Sequence, residues 1–158
     1  MSAETTCALV TAMPAQLAEV DRLMRSAFAP YVRRLGRDLA ADAYGWFAGA
    51  IDQGDLYIAL DRGAIVGAIA TRRHDADLEL ALIGVSPARQ KSGIASFMID
   101  RVAEIARAKG MRTLSLTTAE MMEDRVRLYS RHGFVITRRG LPEHGKDVHV
   151  RVHMQRVL

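Results

Sequence analysis

Val85-Ser86-Pro87-Ala88-Arg89-Gln90-Lys91-Ser92-Gly93-Ile94-Ala95 joins the end of an apolar run to the start of a helical pattern through a basic loop with one glycine. The first N–H groups of a helix have no internal acceptors, and the helix dipole adds partial positive charge there, so an anion satisfies both. Arg89 and Lys91 add charge, Gly93 allows close backbone approach, and Ser92 stands where an N-cap belongs. By itself the stretch reads either as a phosphate cradle or as an ordinary strand-to-helix turn ahead of a capped helix. The flanks decide between them.

The chain has 158 residues and 17.4 kDa, the size of one domain spanning 1–158 with one core. Hydrophobic residues make up 49% and charged ones 25%, which excludes disorder and fibrous repeats. A net charge of +4 and a pI of about 9.6 tolerate anionic partners. The arginines are spread along the chain, however, and no basic stripe with interleaved aromatics calls for nucleic acid. Cys7 is the single cysteine, so an internal disulfide and a multi-cysteine zinc motif are excluded and the cytoplasm is the default compartment. No apolar stretch approaches the ~18 residues of a membrane span, and the N-terminal segment lacks the basic region of an export signal.

Along the chain, residues 7–13 read as a strand, and Pro14 opens a helix with Leu17, Val20, Leu23, Met24, Ala27 and Phe28 at helical spacing. Pro30 is expected to end that helix, with a loop and a second helix around 38–51 to follow. Strands at 55–60 and 64–72 flank the turn residues Asp61-Arg62-Gly63, a hairpin, and 77–85 is the next antiparallel strand. A helix over 92–109 carries Ile94, Phe97, Met98, Val102 and Ile105 on one face and stops at Gly110. A strand at 112–118, a helix at 121–132 stopped by Gly133, and strands at 134–138 and 148–154 complete the order, with 139–147 as the last loop. The class is α+β with mixed pairing. Strand 77–85, helix 92–109 and strand 112–118 form a right-handed βαβ unit.

A nucleotide P-loop is excluded, because Val85 and Gln90 occupy the positions that need glycine ahead of Lys91-Ser92. A metal centre is not expected from His144, His149 and His153, since two histidines four residues apart on a strand stand ~13 Å apart.

With Gln90-Lys91-Ser92-Gly93-Ile94-Ala95 after a Val-x-Pro strand end, and Arg127-Leu128-Tyr129-Ser130-Arg131-His132-Gly133-Phe134 downstream, the sequence resembles the GNAT N-acetyltransferase superfamily. The first stretch resembles the family's acetyl-CoA signature and the second its LYxxxGF segment. The resemblance implies a twisted, mostly antiparallel sheet of about seven strands with about four helices. It also implies acetyl-CoA as donor, a primary amine on a small molecule, peptide or protein as acceptor, and no metal.

Position by position, it implies that the diphosphate of coenzyme A lies over the N–H groups of Gln90, Lys91, Ser92, Gly93, Ile94, Ala95 and Ser96. Main-chain groups of Ile83 and Val85 then pair with the pantetheine arm. Tyr129 is the candidate general acid; its ordinary alternative is a core aromatic on an amphipathic helix. Glu79 interrupts the apolar stretch Leu78 to Val85, where a carboxylate is costly unless paired or functional. It is the candidate base, the alternative being a solvent-facing partner of Arg72 or Arg73. Many members carry Asn and Ala six and three residues before the Leu of the Leu-Tyr pair. Met122 and Arg125 stand there here, so the Asn contact to the cofactor is lost, and Arg125 either reaches a cofactor phosphate or sits in solvent.

The acceptor walls implied are roughly 30–46 and 141–147, with Tyr31, Tyr44 and Trp46 for an apolar body and Arg33, Arg34 or Arg37 for an acidic group. The resemblance also admits a homodimer through the C-terminal strands. The rival function on the same fold is a non-catalytic acyl-CoA-binding module.

Overall fold

The structure, a computed structural model, describes residues 7–142 and 148–158. Strand β1 (Cys7–Thr11) pairs antiparallel with β2 (Leu56–Asp61), Cys7 lying opposite Asp61. The hairpin to β3 (Ala64–His74) turns through Arg62 and Gly63, at φ 52° and 82°. Positive φ at both central residues is the tight turn that suits the twist of paired strands, so this part of the sequence folds as its turn residues direct. β4 is Asp77–Val85, β5 Thr113–Ala119, β6 Val135–Gly140 and β7 Arg151–Val157. The sheet order is β1-β2-β3-β4-β5-β7-β6, mostly antiparallel, with β4 and β5 parallel as the βαβ reading requires. Their ladder joins Asp77–Glu79 to Thr113–Ser115 and is locked by the Asp77 carboxylate, which accepts from the Thr113 and Ser115 hydroxyls at 2.7 and 2.5 Å.

Among the described residues four α-helices accompany the sheet: α1 (Leu17–Arg34), α2 (Phe47–Asp52), α3 (Ile94–Ala108) and α4 (Glu123–Arg131). Pro30 does not end α1. Its ring is on the exposed side, while Phe28, Val32 and Leu35 are buried, so the apolar stripe carries the helix across the lost N–H. The expected helix over 38–51 shrinks to α2, because residues 40–47 are taken up by short turns (Ala43 N–H to the Ala40 carbonyl, Gly45 N–H to Asp42, Phe47 N–H to Tyr44). The last strand lies at 151–157 instead of 148–154. Its register sets Met154 against Leu116 and Val152 against Thr118, burying Val152 and Met154 and leaving Val148 and Val150 exposed. β7 also inserts between β5 and β6.

The chain divides into two compact units, residues 1–71 with 82–98, and residues 72–81 with 99–158. In the first, α1 and α2 cover β2 and β3 through a core that includes Val20, Met24, Phe28, Phe47, Leu56, Ile58 and Ala68. In the second, the buried residues include Leu78, Leu80, Val102, Leu114, Leu116, Met122, Tyr129, Phe134 and Met154.

Candidate active site

In the first unit the loop after β4 is built by its own side chains. Pro87–Arg89 make one 3-10 turn, Lys91 takes φ 62° and Gly93 φ 87°, and α3 begins at the buried Ile94. Ser86 N–H donates to the Val66 carbonyl at 2.9 Å and Gln90 Nε2 to the Val85 carbonyl at 3.3 Å, tying both ends of the turn back to the sheet. Ser92 does not cap the helix, since two left-handed residues turn the chain first; its hydroxyl donates to the Arg89 carbonyl. Arg89 is likewise committed: its Nη2 binds Asp61 Oδ2 at 2.7 Å, with the Asp61 side chain only 11% exposed. The loop's outward charge therefore rests on the exposed Lys91.

The first helical bond of α3 runs from Phe97 N–H to the Gly93 carbonyl, so the N–H groups of Ile94 and Ala95 stand in the first turn ahead of it. A Cβ added at Gly93 would meet nothing within 4 Å. The space over this turn is open, which fits a diphosphate lying on the backbone. Beneath it, Gly84 is enforced by packing, because a Cβ there would stand 2.5 Å from Met24 Sδ. Ile83 is buried and Val85 half-buried on the same strand end. Cys7 faces the Arg89–Asp61 pair across β1 and β2; burial, then the Asp61 charge, pushes its thiol up, and Arg89 opposes them.

In the second unit Tyr129 lies on α4, 5% exposed, its ring edge-on to Phe134 at 6.1 Å. Arg125 Nη1 donates to its hydroxyl oxygen at 3.4 Å, one helical turn away. Arg125 is thus half-buried against Tyr129 rather than standing in solvent, and Met122, in the Asn position, is buried in the core. A cleft of about 360 Å³ is lined by His74, Glu79, Ser115, Thr117, His153 and Gln155 among others.

Glu79 is 26% exposed, and its Oε1 meets His74 Nε2 at 2.8 Å, so the ion-pair partner expected in Arg72 or Arg73 is His74. His153 Nε2 faces Arg138 Nη2 at 3.1 Å and Nδ1 faces Thr117 Oγ1 at 3.0 Å. A guanidinium has no acceptor, so in that contact Arg138 donates and Nε2 accepts. Among the described residues no group of three His, Cys, Asp or Glu could hold a metal ion.

The three aromatic candidates lie in and against the core of the first unit, Tyr31 and Trp46 only partly buried. Tyr44 is buried and stacks on Phe47 at 4.8 Å, Trp46 meets Phe47 edge-on at 4.8 Å, and Tyr31 meets Phe28 edge-on at 5.8 Å. Arg33, Arg34 and Arg37 are exposed. Most of the second expected wall, including His144, lies outside the described residues. Asp61 and His74 escaped the sequence reading. Asp61 looked like a turn residue, and His74 carried no signal beyond its place five residues before Glu79.

No curated protein matches the chain. Solved structures resemble it along its whole length at low identity. Ard1 from Thermoplasma volcanium superposes with a TM-score of 0.79 at 18% identity, covering 98% of this chain and 99% of that one. The PaiA N-acetyltransferase from Thermoplasma acidophilum, solved with coenzyme A, gives 0.78 at 12% identity over 98% and 100%. Naa50 from Arabidopsis thaliana, in complex with the bisubstrate analogue CoA-Ac-MVNAL, gives 0.74 at 18% over 96% and 99%. The profile of the acetyltransferase (GNAT) family matches residues 19–134, a span that takes in the Gln90–Ala95 turn, Glu79 and Tyr129. With that match and the seven-stranded fold, the chain belongs to the acetyltransferase (GNAT) family.

Proposed function

We propose that this protein moves an acetyl group from acetyl-CoA to a primary amine by direct attack in a ternary complex, its two units acting as one domain. The observation that carries the reading is the turn Gln90 to Gly93, which leads straight into α3 with open space over Gly93. Acetyl-CoA supplies the activated acetyl thioester. Backbone N–H groups of residues 90–96 hold the diphosphate, with Gly93 and Ala95 keeping that surface low. Main-chain groups of Ile83 and Val85 pair with the amide-rich arm as an added strand. A fixed N–H near Val85 that meets the developing negative charge contributes about 3 kcal/mol in a dry site.

Tyr129 donates its phenolic proton to the departing thiolate. A phenol of pKa ~10 is matched to a thiol of ~8.5, and the Arg125 guanidinium beside Oη steadies the charge left behind. Glu79 takes the proton that the acceptor ammonium must lose before attack. His74 donates to its Oε1 and, being 57% exposed, passes protons on to solvent. The carboxylate, hydroxyls and imidazoles of the Glu79 cleft support a polar amine as acceptor. A single unpaired cysteine supports a cytoplasmic setting, and no helix among the described residues is long and apolar enough to cross a membrane. β6 is an edge strand exposed along all six residues, which supports a homodimer through it.

Free-thiol release from acetyl-CoA, measured over a panel of small amines, amino acids and peptide N-termini, tests the proposal. Turnover that falls about 10²-fold or more in Tyr129→Phe is expected for loss of a general acid. Coenzyme A binding without turnover on any acceptor would favour the non-catalytic module.

A further inference from the structure

Asp61 is an acidic side chain beneath a loop that is read as an anion site. A bare carboxylate there repels a diphosphate, so its presence needs a compensating reason. Its side chain is 11% exposed at the end of β2, where the β2–β3 turn begins, and Oδ2 receives Arg89 Nη2 at 2.7 Å. Arg89 closes the 3-10 turn that enters the loop, and its carbonyl accepts the Ser92 hydroxyl. Between these two anchored residues lies Lys91 at φ 62°, left-handed although it is not glycine. Such a residue persists only where its surroundings fix it. The guanidinium is neutralised by Asp61, so its work is mechanical: it fastens the turn to the hairpin.

We propose that Asp61 is a positioning residue for the cofactor, acting through Arg89 to hold residues 89–93 in the shape that offers Gly93 and the first turn of α3 to the diphosphate. The inference rests on the cofactor reading of the loop. It differs in sign from a role in which Arg89 binds phosphate directly and Asp61 only screens it. Removing the Asp61 charge weakens cofactor binding in the first case and strengthens it in the second.

Calorimetric titration with coenzyme A, run well below the melting temperature, compares wild type, Asp61→Asn, Arg89→Gln and the double variant, with Tm recorded for each. The expected result is a Kd raised about tenfold in each single variant and no further in the double, because the pair acts as one unit. A Kd in Asp61→Asn that is unchanged or tighter, whatever happens to Tm, overturns the proposal. Arg89→Lys alters the more exposed partner and keeps the charge without the planar fork, so it serves if Asp61→Asn fails to fold. A raised Kd there supports the latch, and a wild-type Kd overturns it. Gly93→Val separates this inference from the one beneath it. Loss of binding in Gly93→Val with Asp61→Asn unaffected overturns the positioning role alone. Wild-type binding in Gly93→Val removes the loop reading and the positioning role together.

Discussion

Gly84→Ala puts one methyl group where α1 closes on β4. An added Cβ would stand 2.5 Å from Met24 Sδ and 3.4 Å from Ala27 Cβ and Phe28 Cε2. The sulfur contact falls short of the ~3.5–4.0 Å optimum for carbon pairs by about 1 Å. Met24 is fully buried, so its thioether swings aside only by displacing other core atoms, an overpacking cost of about 1–3 kcal/mol. Replacing a strand glycine returns about 0.5–1 kcal/mol in backbone entropy, leaving a net loss of up to about 2.5 kcal/mol, centred near 1 kcal/mol. For a chain of this size each kcal/mol lowers Tm by about 2–4 °C.

Denaturant unfolding of four proteins (wild type, Gly84→Ala, Met24→Ala and the double variant) isolates the cause. Met24→Ala alone costs about 2–5 kcal/mol through the cavity it leaves. In that background the alanine at 84 has no sulfur to meet, so it should be neutral or stabilising, a coupling of about 1–3 kcal/mol. An equal loss from Gly84→Ala in both backgrounds, or no loss in the wild type, would refute the packing argument.

Gly93→Ala meets no atom in the protein but holds alanine at φ 87°. It should cost about 1–2 kcal/mol in unfolding free energy while raising the coenzyme A Kd at least tenfold, by calorimetry, since the methyl enters the diphosphate's space. Glu79→Gln should lower turnover by about 10²–10⁴-fold near neutral pH, with the deficit shrinking as pH rises toward the acceptor amine's own pKa in a pH–rate profile. Cys7, whose thiol is pushed up first by burial and then by Asp61, should react with iodoacetamide more slowly than free cysteine at pH 8, and faster in Asp61→Asn. Because that folded pKa is raised, the thiol's contribution to stability is whole below the ordinary thiol range and fades as pH climbs through it, so the wild type should lose more stability than Cys7→Ser in alkaline melts.

What could be seen in the sequence was local. Arg62-Gly63, Gly93 and Gly110 each take a positive φ where a turn or helix boundary demands it, and the spacing of Val20, Met24 and Phe28 or of Ile94, Met98 and Val102 marks buried faces. The elements followed from those signals. The misplacements arose where tertiary burial overrode them. Pro30 is carried within α1, where Val32 and Leu35 still have a core to enter, and the final strand begins at Arg151, with Val152 and Met154 buried opposite Thr118 and Leu116 while Val148 and Val150 stay exposed. The site divides the same way. The Gln90–Ala95 turn is contiguous and was legible. Asp61 and Arg89 are 28 positions apart, His153 and Thr117 are 36, and such pairs form only through the sheet. Tyr31, Tyr44 and Trp46 suggest a ligand surface by type, but aromatic side chains also bury large areas: Tyr44 lies in the core of the first unit, and Tyr31 and Trp46 pack against it with part of their surface still open.

The account stands most directly on where coenzyme A settles. Backbone amide NMR of the isotope-labelled protein, titrated with coenzyme A, reads that position residue by residue. The largest saturable shifts should fall on the N–H signals of Lys91 to Ser96, with smaller ones at Ile83 and Val85. Saturable binding that leaves residues 90–96 unmoved would contradict the account, whatever activity the protein then showed.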